Sequence, residues 1–122
     1  MQIEVKGRNT PVTAELREHV ERRFTKVGKQ VSEFARLEVE VYEERNPAIA
    51  DSQVAEATLA LKGVTLRARD RARDLRHAIN LCEAELSRQV KRHREKRRAR
   101  RRSDSIRTPE PETFGEGTAI AT

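Results

Sequence analysis

Apolar residues recur along this chain with two different periods. Over Gln2–Gly7, Ile3 and Val5 alternate with Gln2, Glu4 and Lys6, which predicts a strand with one buried face. Asn9, Thr10 and Pro11 make a loop. Thr13 is then the expected N-cap of a helix with Glu15 in its first turn. Leu16, Val20, Phe24, Val27 and Val31 follow at three- and four-residue intervals, an amphipathic stripe ending near Gly28–Ser32. Period two returns at Leu37, Val39 and Val41, which alternate with Glu38, Glu40 and Tyr42 until Asn46-Pro47 breaks the run. A third strand is expected from about Gln53 to Lys62, with Ala55, Ala57, Leu59 and Leu61 inward. Lys62-Gly63 is its turn into a fourth strand, Val64–Arg69, with Val64, Leu66 and Ala68 inward. Asp70 or Asp74 caps a second helix whose stripe is Leu75, Ile79, Cys82, Leu86 and Val90. After Val90 the stripe stops, while helix-forming Lys, Arg, Glu and Ala continue. A helix from 74 to about 98 is roughly 37 Å long, and its last turns have nothing apolar to bury.

The element order is strand, helix, three strands, helix. A strand–helix–strand unit joins parallel strands by a right-handed crossover, and the later strands connect as antiparallel hairpins. Each strand has one apolar face, so both helices must cover the same side. The expected class is α+β: a two-layer β-α-β-β-β-α fold, a four-stranded sheet with both helices on one face. The uncovered face carries Glu38, Glu40 and Glu44 against Arg67 and Arg69, where cross-strand charge pairing is the simplest expectation.

Charge changes the picture at one place. Ten of the fifteen residues of Arg88–Arg102 are Lys or Arg, and Glu95 is the one acid there. The whole chain has 26 basic and 20 acidic side chains; without this run 16 and 19 remain. A mildly acidic body therefore carries one concentrated cationic segment, the footprint of a polyanion binder. Ser103–Thr122 has no periodicity and holds Pro109, Pro111, Gly115 and Gly117, the composition of a disordered tail. The length fits one small domain. The N-terminus has no secretory h-region, and no apolar run approaches the roughly 18 residues that span a bilayer.

Candidate chemistry is sparse. His19, His77 and His93 form no metal-ligand spacing, and Cys82, the one cysteine, lies on the helical stripe as a small buried hydrophobe. No glycine-rich phosphate loop and no nucleophile elbow occurs, so neither an enzyme nor a cofactor nor a small-molecule substrate is expected. Phe24 and Phe34 are assigned to the core. That leaves Tyr42 as the one candidate stacking residue, too few for a sheet that splays single-stranded bases. Phosphate recognition by Arg and Lys remains, giving affinity with little sequence reading. A general double-stranded RNA or DNA binder is the alternative on this basis, and a module for acidic protein or anionic membrane is a third.

Several ordered segments resemble the ribosome hibernation-promoting factor family, also called ribosome-associated inhibitors or sigma-54 modulation proteins. They are Met1-Gln2-Ile3 with Gly7-Arg8-Asn9, Val12-Thr13 with Leu16-Arg17-Glu18, Phe24-Thr25-Lys26, Ala57-Thr58-Leu59 and Ala78-Ile79. The most specific is the block Leu86–Lys96, LSRQVKRHREK. The resemblance covers residues 1–98, a ribosome-binding domain, and leaves 99–122 as a basic, then disordered, tail. It implies a translation inhibitor in the bacterial cytoplasm that occupies the decoding channel of the small ribosomal subunit under stress or in stationary phase. Its partner is ribosomal RNA, with no membrane, and another hibernation factor is a further candidate partner. Carried over by position, the RNA contacts are Arg88, Lys91, Arg92, Arg94 and Lys96, with Arg23 and Lys26 from the first helix and Arg98, Arg101 and Arg102 as auxiliaries. The family often has an aromatic where Arg76 stands and Asp where Asn80 stands, so no contact is carried over through those two. The C-terminal domain of long-form members has no counterpart in Ser103–Thr122, which suggests a short form.

Overall fold

The computed structural model describes residues 1–45 and 50–107, with residues 103–107 described by their backbone. The elements are β1 (Gln2–Arg8), α1 (Ala14–Gly28), β2 (Arg36–Glu43), β3 (Gln53–Leu61), β4 (Val64–Ala72) and α2 (Leu75–Arg107). The four strands form one sheet in the order β1-β2-β3-β4. β1 runs parallel to β2, and the other pairs are antiparallel. The expected α+β arrangement is the observed one.

Register turns the alternating apolar positions into continuous rows. Val5, Val39, Ala57 and Ala68 lie across the sheet from one another, and so do Ile3, Leu37, Leu59 and Leu66. These rows, with Leu16, Val20, Phe24 and Val27 of α1 and Ala78, Ile79, Cys82, Leu86 and Val90 of α2, make a single core. Both helical stripes therefore seal the same sheet face. Packing divides the chain after Val90, the last buried residue of α2.

Local chemistry fixes the element ends. Thr13 Oγ1 accepts the Leu16 amide at 3.1 Å, the N-cap expected for α1. Gly7 lies where the chain folds back over β1. A Cβ built there stands 2.0 Å from the Thr10 carbonyl oxygen, so a side chain has no room. Gly63 closes the β3–β4 hairpin at φ +81°, a left-handed conformation that glycine adopts without steric cost. The Asn46-Pro47 break lies outside the described residues.

Four expectations are corrected. β4 continues to Ala72, so Asp70 is a strand residue opposite Ala55 and does not cap α2. Asp74 alone is the cap: its Oδ1 accepts the His77 amide at 2.8 Å. Phe34 is 85% exposed and not in the core. It sits in a turn where the Ser32 hydroxyl accepts its amide at 3.1 Å and the Ser32 carbonyl accepts the Ala35 amide, which leaves Ala35 as the buried residue. Finally, α2 does not stop near 98 but runs to Arg107, through the start of the expected tail, for about 50 Å. Residues 108–122 lie outside the described residues.

Candidate nucleic-acid interface

Val90 is where burial along α2 ends. From Lys91 to Arg102 every residue except the half-buried His93 is exposed. The helix persists because Lys, Arg, Glu and Ala are good helix formers that need no tertiary partner for their side chains. At 100° per residue, Lys91, Arg98 and Arg102 follow one line along the helix. Arg94 and Arg101 lie to one side of it, and Arg92 and Lys96 to the other. Cations therefore occupy most of the circumference, an arrangement suited to an anionic cavity with more than one wall.

The candidate residues of the compact body are less uniform. Lys26 is exposed in the last turn of α1, where a cation also meets the favourable end of the helix dipole. The exposed side chain of Arg88 is held by Glu85, Nη2 to Oε1 at 2.6 Å. Arg23 Nε lies 3.1 Å from Glu83 Oε1, an ion pair in distance although the N–H does not point along a hydrogen-bond direction. Glu83 is buried, and its second oxygen accepts the Ser87 hydroxyl at 2.6 Å. One turn earlier, His19 Nε2 and Asn80 Oδ1 meet at 2.9 Å. These two pairs form a polar seam between α1 and α2. The sequence reading missed it, because Glu83 and Asn80 both sit beside the apolar stripe with nothing to mark them as inter-helix residues.

The open sheet face is charge-paired only in part, and its ion pairs are not the expected ones. Lys6 Nζ is 2.6 Å from Glu38, Arg8 is 3.0 Å from Glu40, and Arg71 is 2.9 Å from Glu44. The glutamates of β2 pair with the adjacent strand β1, not with Arg67 and Arg69, which are two strands away. The hydrogen bond from Arg8 holds the Glu40 carboxyl below its usual range. The Arg8 guanidinium also lies 4.1 Å from the centroid of the Tyr42 ring, so that aromatic face is occupied.

Among the described residues no group of three or more His, Cys, Asp and Glu side chains is placed to hold a metal ion. Burial pushes the Cys82 thiol up to about 12, and its Sγ lies 3.4 Å from the Ala68 carbonyl oxygen. No helix among the described residues is long and apolar enough to cross a membrane.

Residues 3–98 match the family described as Sigma 54 modulation protein / S30EA ribosomal protein. The chain belongs to this family. The match ends inside the cationic segment, so Arg101 and Arg102 lie beyond it. Similar family members include a ribosome hibernation promotion factor of Picosynechococcus, 29% identical over 97 residues, and one of Lactococcus lactis, 30% identical over 98 residues. These alignments take 79% and 77% of this chain and 50% of each relative, so the chain spans about half the length of those relatives. A ribosome hibernation promoting factor of Acinetobacter guillouiae is 28% identical over 99 residues, with 88% of its length covered. Among solved structures, the N-terminal domain of Thermus thermophilus Protein Y aligns with a TM-score of 0.66 and 26% identity, over 76% of this chain and 99% of that one. A ribosomal subunit interface protein of Coxiella burnetii shares the fold at the same TM-score with 17% identity, over 78% of this chain and 99% of that one.

Proposed function

We propose that this chain binds the small ribosomal subunit, lays the Lys91–Arg102 segment against ribosomal RNA phosphates in the decoding channel, and keeps the ribosome inactive in the bacterial cytoplasm. The observation that carries the reading is the family match over residues 3–98, which takes in most of a helical segment whose exposed side chains are predominantly Lys and Arg. Such a segment neutralises phosphates without reading bases. Inhibition then needs occupancy alone and no covalent step. Lys91, Arg92, Arg94, Lys96 and Arg98 are the principal contacts, Arg101 and Arg102 extend them, and Lys26, Arg88 and Arg23 belong to the compact body.

Co-sedimentation with purified bacterial ribosomes, followed by cell-free translation, tests the proposal. Binding is expected at moderate salt, with log affinity falling by about 0.9 per phosphate neutralised for each decade of salt. Translation should fall in step with occupancy. A protein that stays in the supernatant, or that binds random RNA duplexes as tightly as ribosomes in competition, overturns the reading.

A further inference from the structure

A second cationic surface is built on β4, on the sheet face opposite the helices. Residues 67–76 contain five arginines, Arg67, Arg69, Arg71, Arg73 and Arg76, and two acids, Asp70 and Asp74. Read as sequence, the acids dilute the run. The fold sends them elsewhere. Asp70 belongs to the inner sheet row, opposite Ala55, where burial and Glu85 raise its carboxyl above the usual range. The Asp74 carboxylate caps α2. Thr65, Arg67, Arg69 and Arg71 are left in one row on the open face of an edge strand, with same-face spacing of about 6.7 Å.

The glutamates that would neutralise this row are largely committed to other strands. Glu38 is bound to Lys6 and Glu40 to Arg8, while Glu44 holds Arg71. Glu56 stands opposite Arg69 in register, yet neither Arg67 nor Arg69 closes an ion pair among the described residues. Both side chains are exposed. At the strand's other edge-facing group, Gln89 Nε2 donates to the Arg67 carbonyl oxygen at 2.6 Å, which ties the backbone beneath the row to α2.

We infer that Arg67 and Arg69, with Arg71 at the end of the row, form a second contact for an RNA phosphate backbone, separate from the helical segment. Evenly spaced positive charges match a polyanion that repeats one charge per monomer. The row offers no large apolar or aromatic side chain to seat a protein partner or to stack a base. The contact is therefore to backbone phosphate and independent of sequence. The inference rests on the proposed function only in taking RNA as the polyanion.

Fluorescence anisotropy of the full chain with a labelled polyuridylate of roughly 20 nucleotides, titrated with salt from about 50 mM, tests it. Arg67→Glu with Arg69→Glu should weaken binding at least about fivefold and lower the slope of log affinity against log salt by about 1.4, the value for two phosphates on a single strand. Arg67→Lys with Arg69→Lys keeps the charge and should bind within about threefold of the parent. An unchanged affinity and slope in the glutamate pair overturns the inference, and so does an equal loss in both pairs, which reports structure and not charge. Ribosome co-sedimentation of the parent chain is a separate readout, so the failure of either proposal is seen apart from the other.

Discussion

Arg23 Nε of α1 and Glu83 Oε1 of α2 stand 3.1 Å apart, with the carboxylate side chain 7% exposed and the arginine 38%. The pair links the two helices at their polar seam, and Ser87 holds the other carboxylate oxygen. Arg23→Ala leaves a buried carboxylate with one neutral donor. It should cost about 1–3 kcal/mol, read as a lower urea midpoint at unchanged slope. Glu83→Gln with Arg23→Ala should recover part of that loss, because no buried charge is left unpaired. An Arg23→Ala protein as stable as the parent contradicts the seam.

Charge reversal should separate binding from folding in the cationic segment. Lys91→Glu, Arg92→Glu and Lys96→Glu all lie past the last buried residue of α2 and are exposed. The triple variant is expected to lose ribosome binding by more than about 100-fold at moderate salt, since it reverses several of the proposed phosphate contacts together. Its thermal midpoint should stay within a few degrees of the parent. Normal co-sedimentation of this variant removes the segment from the mechanism.

Two glycines should respond to alanine for different reasons. At Gly7 the new Cβ meets the Thr10 carbonyl oxygen at 2.0 Å and Val12 Cγ2 at 2.9 Å, so the loop must move, at about 1–3 kcal/mol or more. At Gly63 the space is open and the cost is the left-handed backbone alone, about 1–2 kcal/mol. Denaturant unfolding of the two variants should rank Gly7→Ala as the less stable, and the reverse order would refute the close approach.

Cys82 should be silent in the folded protein. Its thiol is fully buried and pushed up to about 12, so thiolate is scarce at neutral pH. An aromatic disulfide reagent should release one equivalent of thiol only as the protein unfolds, at a rate that tracks denaturant. Rapid labelling under native conditions would show the site to be open.

The Arg8–Glu40 pair gives a pH signature. Glu40 has its folded-state carboxyl lowered by the Arg8 hydrogen bond, from an ordinary value of 4.5. Its contribution is therefore complete above that value and is lost as pH falls through the lowered folded-state value. Thermal midpoints measured from pH 6 down to pH 2 should fall less for Glu40→Gln than for the parent. Parallel curves would mean that the pair adds no pH-dependent stability.

Much of the fold was legible because its signals are local. Leu37, Val39 and Val41 alternate, and all three are buried. Leu16, Val20, Phe24 and Val27 recur at helical spacing, and they too are buried. Thr13 and Gly63 read correctly because a cap and a tight turn are chemistry within a few residues. The errors fall where two similar residues compete for one role. Asp70 and Asp74 are both acids ahead of a helix, and only the extra length of β4 puts the first into the sheet. Phe34 is large and apolar, yet the Ser32–Ala35 turn presents the neighbouring Ala35 to the core. The cationic segment is legible as composition, whereas the partners of the sheet-face glutamates are not: Glu38 and Glu40 pair with β1 and Glu44 with Arg71, not with Arg67 and Arg69.

Sequence alone determined the apolar faces of the strands and helices, the order of those elements, and that a cationic stretch follows the last apolar stripe of α2. Those properties depend on periods of two and 3.6 residues, and every residue carries that information with its near neighbours. The tertiary structure decided which charges neutralise one another. Glu38 and Glu40 could face cations on either side until β1 lay parallel beside β2, and Glu83 had no partner until α1 crossed to it. Ion pairs form between groups a few ångströms apart in space, whatever their separation along the chain. Arg67 and Arg69, which close no ion pair among the described residues, therefore became visible only once the strands were in register.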